Sequence, residues 1–112
     1  MLYRFKSKNT GDVVMLEPNG RQLLEIIGKH PGSQGIVLKD EMPAAIEAIR
    51  AAIAHDEDME RQRQEEARRK AQQGEAVVVP TPPGVSLRHR AQPFVEMLQR
   101  CIQTGDNVVW GV

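Results

Sequence analysis

The 112-residue sequence predicts an α+β fold, a sheet of about four short strands with three helices packed mainly on one face. Three observations carry this. Apolar and polar residues alternate with the period of strands near both ends of the chain. Apolar residues recur at helical spacing between them. Turn residues punctuate the boundaries of most segments. All of 1–112 reads as a single domain, with no room for a second core.

Residues 2–16 predict a hairpin. In Leu2–Lys6, Tyr3 and Phe5 share one face and Arg4 and Lys6 the other. Lys8-Asn9-Thr10-Gly11-Asp12 is turn chemistry. Val13-Val14-Met15-Leu16 is apolar on both faces, which suits a strand with cover on two sides or one more central than the first. The lysines of the first strand would then blunt a sheet edge against another chain.

A first helix is expected over 18–28. Pro18 suits its first turn, Leu23, Leu24 and Ile27 have helical spacing, Gly28 closes it and Pro31 blocks continuation. A third strand follows over 36–38, reached through a helix, so parallel pairing with the second strand stays open. Asp40 is placed to cap a second helix, 41–72. Its stripe of Ile46, Ile49 and Ile53, widened by Met42, Ala45 and Ala52, stops at Ile53. Helix-favouring residues run on to Gln73, with Glu57–Arg61, Glu65–Arg69 and Glu66–Lys70 at i,i+4. Such a helix is about 50 Å long at ~1.5 Å per residue. A compact domain of this size is about 35 Å across. The charged extension 56–73 therefore protrudes in part, and frays, folds back or meets a partner.

Residues 74–85 read as a Pro-rich linker, in which Val77-Val78-Val79 offers a short edge strand. Ser86 is a good N-cap for a third helix, 86–104. Leu87, Ala91, Phe94, Val95, Leu98 and Ile102 hold a helical period through Pro93, where a kink or a restart is expected. Val108, Trp110 and Val112 alternate as a final strand, 108–112.

Composition narrows the function classes. Lys+Arg and Asp+Glu both total 15, so no global field favours nucleic acid or an anionic membrane. One cysteine allows no internal disulfide. The first residues are charged from Arg4 on, without the apolar core of a signal peptide, and no apolar run approaches a membrane span. A cytoplasmic protein is the expectation.

No catalytic residues are assigned. His30, His55 and His89 fit no metal-ligand spacing, and His55-Asp56-Glu57-Asp58 lacks the glycine and ligand order of a calcium loop. Cys101 and His89 lie about 18 Å apart along a continuous helix, too far for a nucleophile and its base. No nucleotide or dinucleotide fingerprint is present, and neither a metal nor a cofactor is expected. Two features remain. Ser86, Arg88, His89 and Arg90 gather a helix N-terminus, a hydroxyl and three cationic side chains, which suits an anion. Arg88 and Arg90 point about 200° apart on a helix, so both cannot grip one phosphate unaided. Trp110, the single tryptophan, becomes an interface anchor if its face lacks cover within the chain. The expected function is non-catalytic binding or regulation, through self-association or a protein partner. Anion recognition at 84–90 is the second reading.

Some stretches are familiar. Met1–Lys8, Gly11–Leu16, Met42-Pro43-Ala44-Ala45-Ile46, Val85–Pro93 and Val108-Val109-Trp110-Gly111-Val112 together resemble a small bacterial family catalogued as domain of unknown function eighteen-forty. The resemblance spans nearly the whole chain and is loosest over the charged stretch and the linker. It implies a short stand-alone bacterial protein and carries over no site residue, substrate or cofactor.

Overall fold

The computed structural model describes residues 2–74 and 86–111. The valine strand expected near 77–79, the linker after Gly74 and the final Val112 lie outside the described residues.

The elements run β1 (Leu2–Lys6), β2 (Val13–Leu16), α1 (Glu17–Ile26), β3 (Gly35–Val37), a short 3-10 turn (Lys39–Glu41), α2 (Met42–Gln72), α3 (Leu87–Thr104) and β4 (Val108–Trp110). The four strands form one sheet in the order β2-β1-β4-β3, with every neighbouring pair antiparallel. β3 therefore does not join β2. The crossover through α1 carries the chain to the far edge, and the α2–α3 pair returns it to the middle.

This order corrects one expectation. β1 is central and β2 is an edge. The cause is β4, which pairs on the free side of β1 with Phe5 opposite Trp110 and Lys6 opposite Val109. That pairing places both aromatic rings in the core. Arg4 and Lys6 thus stand mid-sheet and guard no edge, while the edge strand Val13–Leu16 carries no charge.

One face of the sheet packs on the helices. Phe5, Val37, Val108 and Trp110 are buried there, with Tyr3, Val13 and Met15 partly buried beside them. The Phe5 ring lies 4.8 Å from Phe94 and 5.9 Å from Trp110. α1 supplies Leu23 and Leu24, and its expected stop is formed at Gly28. Gly28 has φ +82°, which glycine alone adopts at no steric cost. Its N–H donates to Glu25 O at 3.1 Å and that of Lys29 to Leu24 O at 2.8 Å, closing the helix.

The start of α2 differs from expectation. Asp40 falls inside the 3-10 turn, and Glu41 stands at the N-cap of α2 without a side-chain cap bond, its carboxylate closing the 3-10 turn instead. Glu41 Oε1 accepts the Leu38 N–H at 2.9 Å while Lys29 Nζ donates to the same carboxylate at 2.8 and 2.7 Å. In α3, Ser86 caps as expected and the helix runs as one element through Pro93. Ile102 is 41% exposed, and Cys101 takes the inward place expected for it. The reason is the phase of the stripe: Leu87, Ala91, Phe94, Leu98 and Cys101 step by three and four.

The last buried residue of α2 is Ile53. Beyond Glu57, which still touches α3, the helix runs on for about 22 Å at ~1.5 Å per residue. The molecule accordingly measures 57 × 27 × 22 Å. On this arm Lys70 meets Glu66 at 3.4 Å as the spacing expects. Glu57 turns to Arg88 instead, and Arg61 to Asp58. These exposed pairs add little stability.

Candidate functional site

The residues singled out at the start of α3 are drawn to different neighbours. Ser86 Oγ accepts the His89 N–H and lies 2.8 Å from His89 Nδ1. Arg88 reaches across to α2 and donates to both carboxylate oxygens of Glu57, with Nε 3.3 Å from Oε2. Arg90 turns to α1 and donates to Asn19 Oδ1 at 2.9 Å and Gln22 Oε1 at 2.8 Å. The structure unites Ser86 with His89 and sends the two arginines apart, as their angular spacing requires. Their work here is to fasten α3 to two other helices.

The Arg88 hydrogen bond holds the Glu57 carboxyl below the ordinary carboxylate range. A lowered folded value means stability that is present at neutral pH and lost as pH falls through it. Glu57→Gln should therefore cost only a little stability near pH 7, screened by solvent, and progressively less below about pH 4.3, where glutamate also protonates unfolded. Urea unfolding of both proteins from pH 7 to pH 3 checks this. A difference that stays constant over that range contradicts it.

Trp110 is 2% exposed. Its Nε1–H donates to Gly32 O at 3.1 Å, and its ring lies across the empty side of Gly35. The cover that would have to be missing for an interface anchor is present within the chain. Cys101 is buried, and its Sγ lies 3.1 Å from Ser7 Oγ as donor. Among the described residues no group of three His, Cys, Asp or Glu side chains could hold a metal ion. No helix among them is long and apolar enough to cross a membrane.

The surface that stands out is the open face that one-sided helix packing implies, continued onto an edge that the sequence pattern does not place at β2. No helix covers the outer face of the sheet among the described residues. Leu2 and Leu16 are each 61% exposed there, paired across β1 and β2, and Val14 and Ile36 share that face. Arg4 and Lys6 rise between them, with Arg4 3.4 Å from Asp12.

The open face continues around the β2 edge. On the inner side of β2, Val13 and Met15 point at the core yet are only half-buried. Two cavities follow this edge. One, of about 610 Å³, runs from Thr10, Gly11 and Val13 to Pro93, Glu96 and Arg100. The other, of about 470 Å³, runs from Val14, Met15 and Leu16 to Asn19, His89, Arg90 and Pro93. Pro93 belongs to both, so the two form one groove between β2 and α3. Thr10 Oγ1 is buried at its end and makes no hydrogen bond among the described residues. Edge strands normally carry a charge, a proline or a bulge against pairing. Between its ends β2 carries none of these. The sequence signal was the uncharged run Val13–Leu16, which reads alike for a doubly covered strand and an unguarded edge.

Comparison with known proteins gives one match. A family model described as a domain of unknown function (DUF1840) matches residues 1–110. No curated protein and no solved structure matches the chain.

Proposed function

The chain belongs to the DUF1840 family, and from its own surfaces we propose that it is a cytoplasmic, non-catalytic binding protein that meets a protein partner along the β2 edge. The observation that carries this is the β2 strand itself. It is an edge with four apolar residues, two half-buried over an unfinished core and two exposed on an uncovered face. Backbone N–H and C=O groups on such an edge offer hydrogen bonds to an incoming strand, and the alternating side chains on either face offer apolar contact. The divergence of Arg88 and Arg90 onto Glu57, Asn19 and Gln22 leaves the anion reading with no converging site, so binding through apolar surface is the better supported of the two.

Val14→Lys tests the reading. Val14 is 46% exposed, so lysine there leaves the core untouched and places a charge in the middle of the edge. Light scattering of the purified protein, and cross-linking in host lysate with identification of what is captured, should give complexes for the native chain that the variant loses. Complexes indifferent to Val14→Lys, or a native chain that associates with nothing, overturn the reading.

A further inference from the structure

We infer that the occupant of the β2 edge is the β2 strand of a second copy of this chain, joined antiparallel about a two-fold axis at Val14 to make one continuous eight-stranded sheet. This rests on the reading of β2 as a docking edge and names what docks there.

Register constrains the pair. Residues directly opposite in an antiparallel pair lie on the same face. Three registers keep inner faces together, with the axis at Val13, Val14 or Met15. Only Val14 on the axis sets both Val13 and Met15 opposite an apolar inner residue. Val13 there would set Met15 against Gly11, and Met15 there would set Val13 against Glu17. A one-residue slip would set inner side chains against outer ones and is excluded on burial grounds. In the matched register the half-buried Val13 and Met15 of the two copies cover each other. On the outer face Val14 meets Val14 and lies diagonal to Leu16 of the other copy, while Leu16 stands opposite Asp12, whose carboxylate is held by Arg4 at 3.4 Å.

Charge fits the same axis. Pro93 lines both halves of the groove, one shared with Val13 and the other with Val14. A two-fold axis at Val14 therefore exchanges those halves. One half presents His89 and Arg90; the other presents Glu96 just past Pro93, with Arg100 a turn farther out. The exchange brings Glu96 of each copy toward His89 and Arg90 of the other, which is the self-complementarity that a two-fold contact demands. At the ends of β2 the carboxylates of Asp12 and Glu17 have their own arginines, Arg4 at 3.4 Å and Arg21 at 3.6 Å. The strand ends do not meet as bare like charges.

The experiment uses the full chain. Light scattering at micromolar concentration should give twice the 12.5 kDa chain mass. Val14→Cys should oxidise to a disulfide dimer, since directly opposed strand residues approach within disulfide reach, whereas Ile36→Cys on the far edge strand should not. Cys101 is buried and does not interfere. Glu96→Arg should raise the dissociation constant by roughly tenfold or more, about 1.4 kcal/mol. Adding His89→Glu to the same chain should restore it. Within one helix these two residues are about 10 Å apart, so the rescue reads a contact between copies. Three results overturn the inference: a monomeric native chain, a dimer unaffected by Val14→Lys, or a dimer whose Val14→Cys form does not cross-link. A monomer that captures a different protein, lost on Val14→Lys, also overturns it while leaving the docking edge standing.

Discussion

Phe5→Ala should lower the unfolding free energy by about 3–5 kcal/mol, the range for removing a buried aromatic ring. Phe5 is 0% exposed and sits on β1, the strand with neighbours on both sides. Its ring meets Phe94 of α3, Trp110 of β4 and Tyr3 of its own strand, the last stacked at 6.0 Å. These walls belong to three separate elements held by their own pairings, so the hole cannot collapse cheaply. A chain of this size has little surplus to absorb such a loss. The variant should be largely unfolded at moderate urea, read by far-ultraviolet circular dichroism. Ile102→Ala, on a residue 41% exposed, is the control and should cost about 0.5 kcal/mol or less. A Phe5→Ala loss no larger than that of the control contradicts the account of the core.

The elements were legible because local pattern and tertiary environment agree for them. Alternation at Leu2–Lys6 and Val108–Trp110 marks the inward rings, and the end of the isoleucine stripe marks where α2 stops being buried. The phase error at Ile102 was one residue, the width of a stripe boundary. Strand order was not legible, because it is decided by which strands Trp110 and Val108 bring together across a hundred residues. Pattern cannot say whether Val13–Leu16 is apolar because two layers cover it or because nothing guards it. The cationic cluster shows the same limit. Helical angle predicted that Arg88 and Arg90 diverge, yet their partners Glu57 and Asn19 lie 31 and 71 residues away in sequence.

The layer count explains why a face stays open. Three helices give one layer, and among the described residues it is filled by eighteen buried apolar side chains from the helices and from β1, β3 and β4. The remaining helical length, the far half of α2, has no apolar stripe with which to cover a second face. Arm and bare sheet are thus two results of one composition: helix-forming residues in excess of oily ones.

Gly35→Ala should be destabilising by about 2–4 kcal/mol, far more than a single methyl group suggests, since overpacking adds to a lost hydrogen bond. In sequence Gly35 reads as a turn residue before a strand. In the fold it lies opposite Trp110 in the β3–β4 register, and the indole occupies the space a side chain would take. A Cβ there would stand 2.2 Å from Trp110 Cζ2, 2.6 Å from Cη2 and 2.8 Å from Cε2. The ring is rigid and cannot yield by rotation of a flexible end. It is held by Phe5 at its edge and by the Nε1–H bond to Gly32 O at 3.1 Å. Relief requires the indole to move outward, breaking that bond, or β3 to leave the sheet. Either route exposes the single tryptophan, so its emission should shift to the red together with the loss of stability. Gly32→Ala separates this from a general effect of glycine, because its nearest neighbour would be His30 Cδ2 at 3.4 Å, an ordinary contact. If Gly35→Ala is as stable as Gly32→Ala and its emission is unchanged, Trp110 does not fill the place assigned to it, and the burial that removes it from any interface falls with that result.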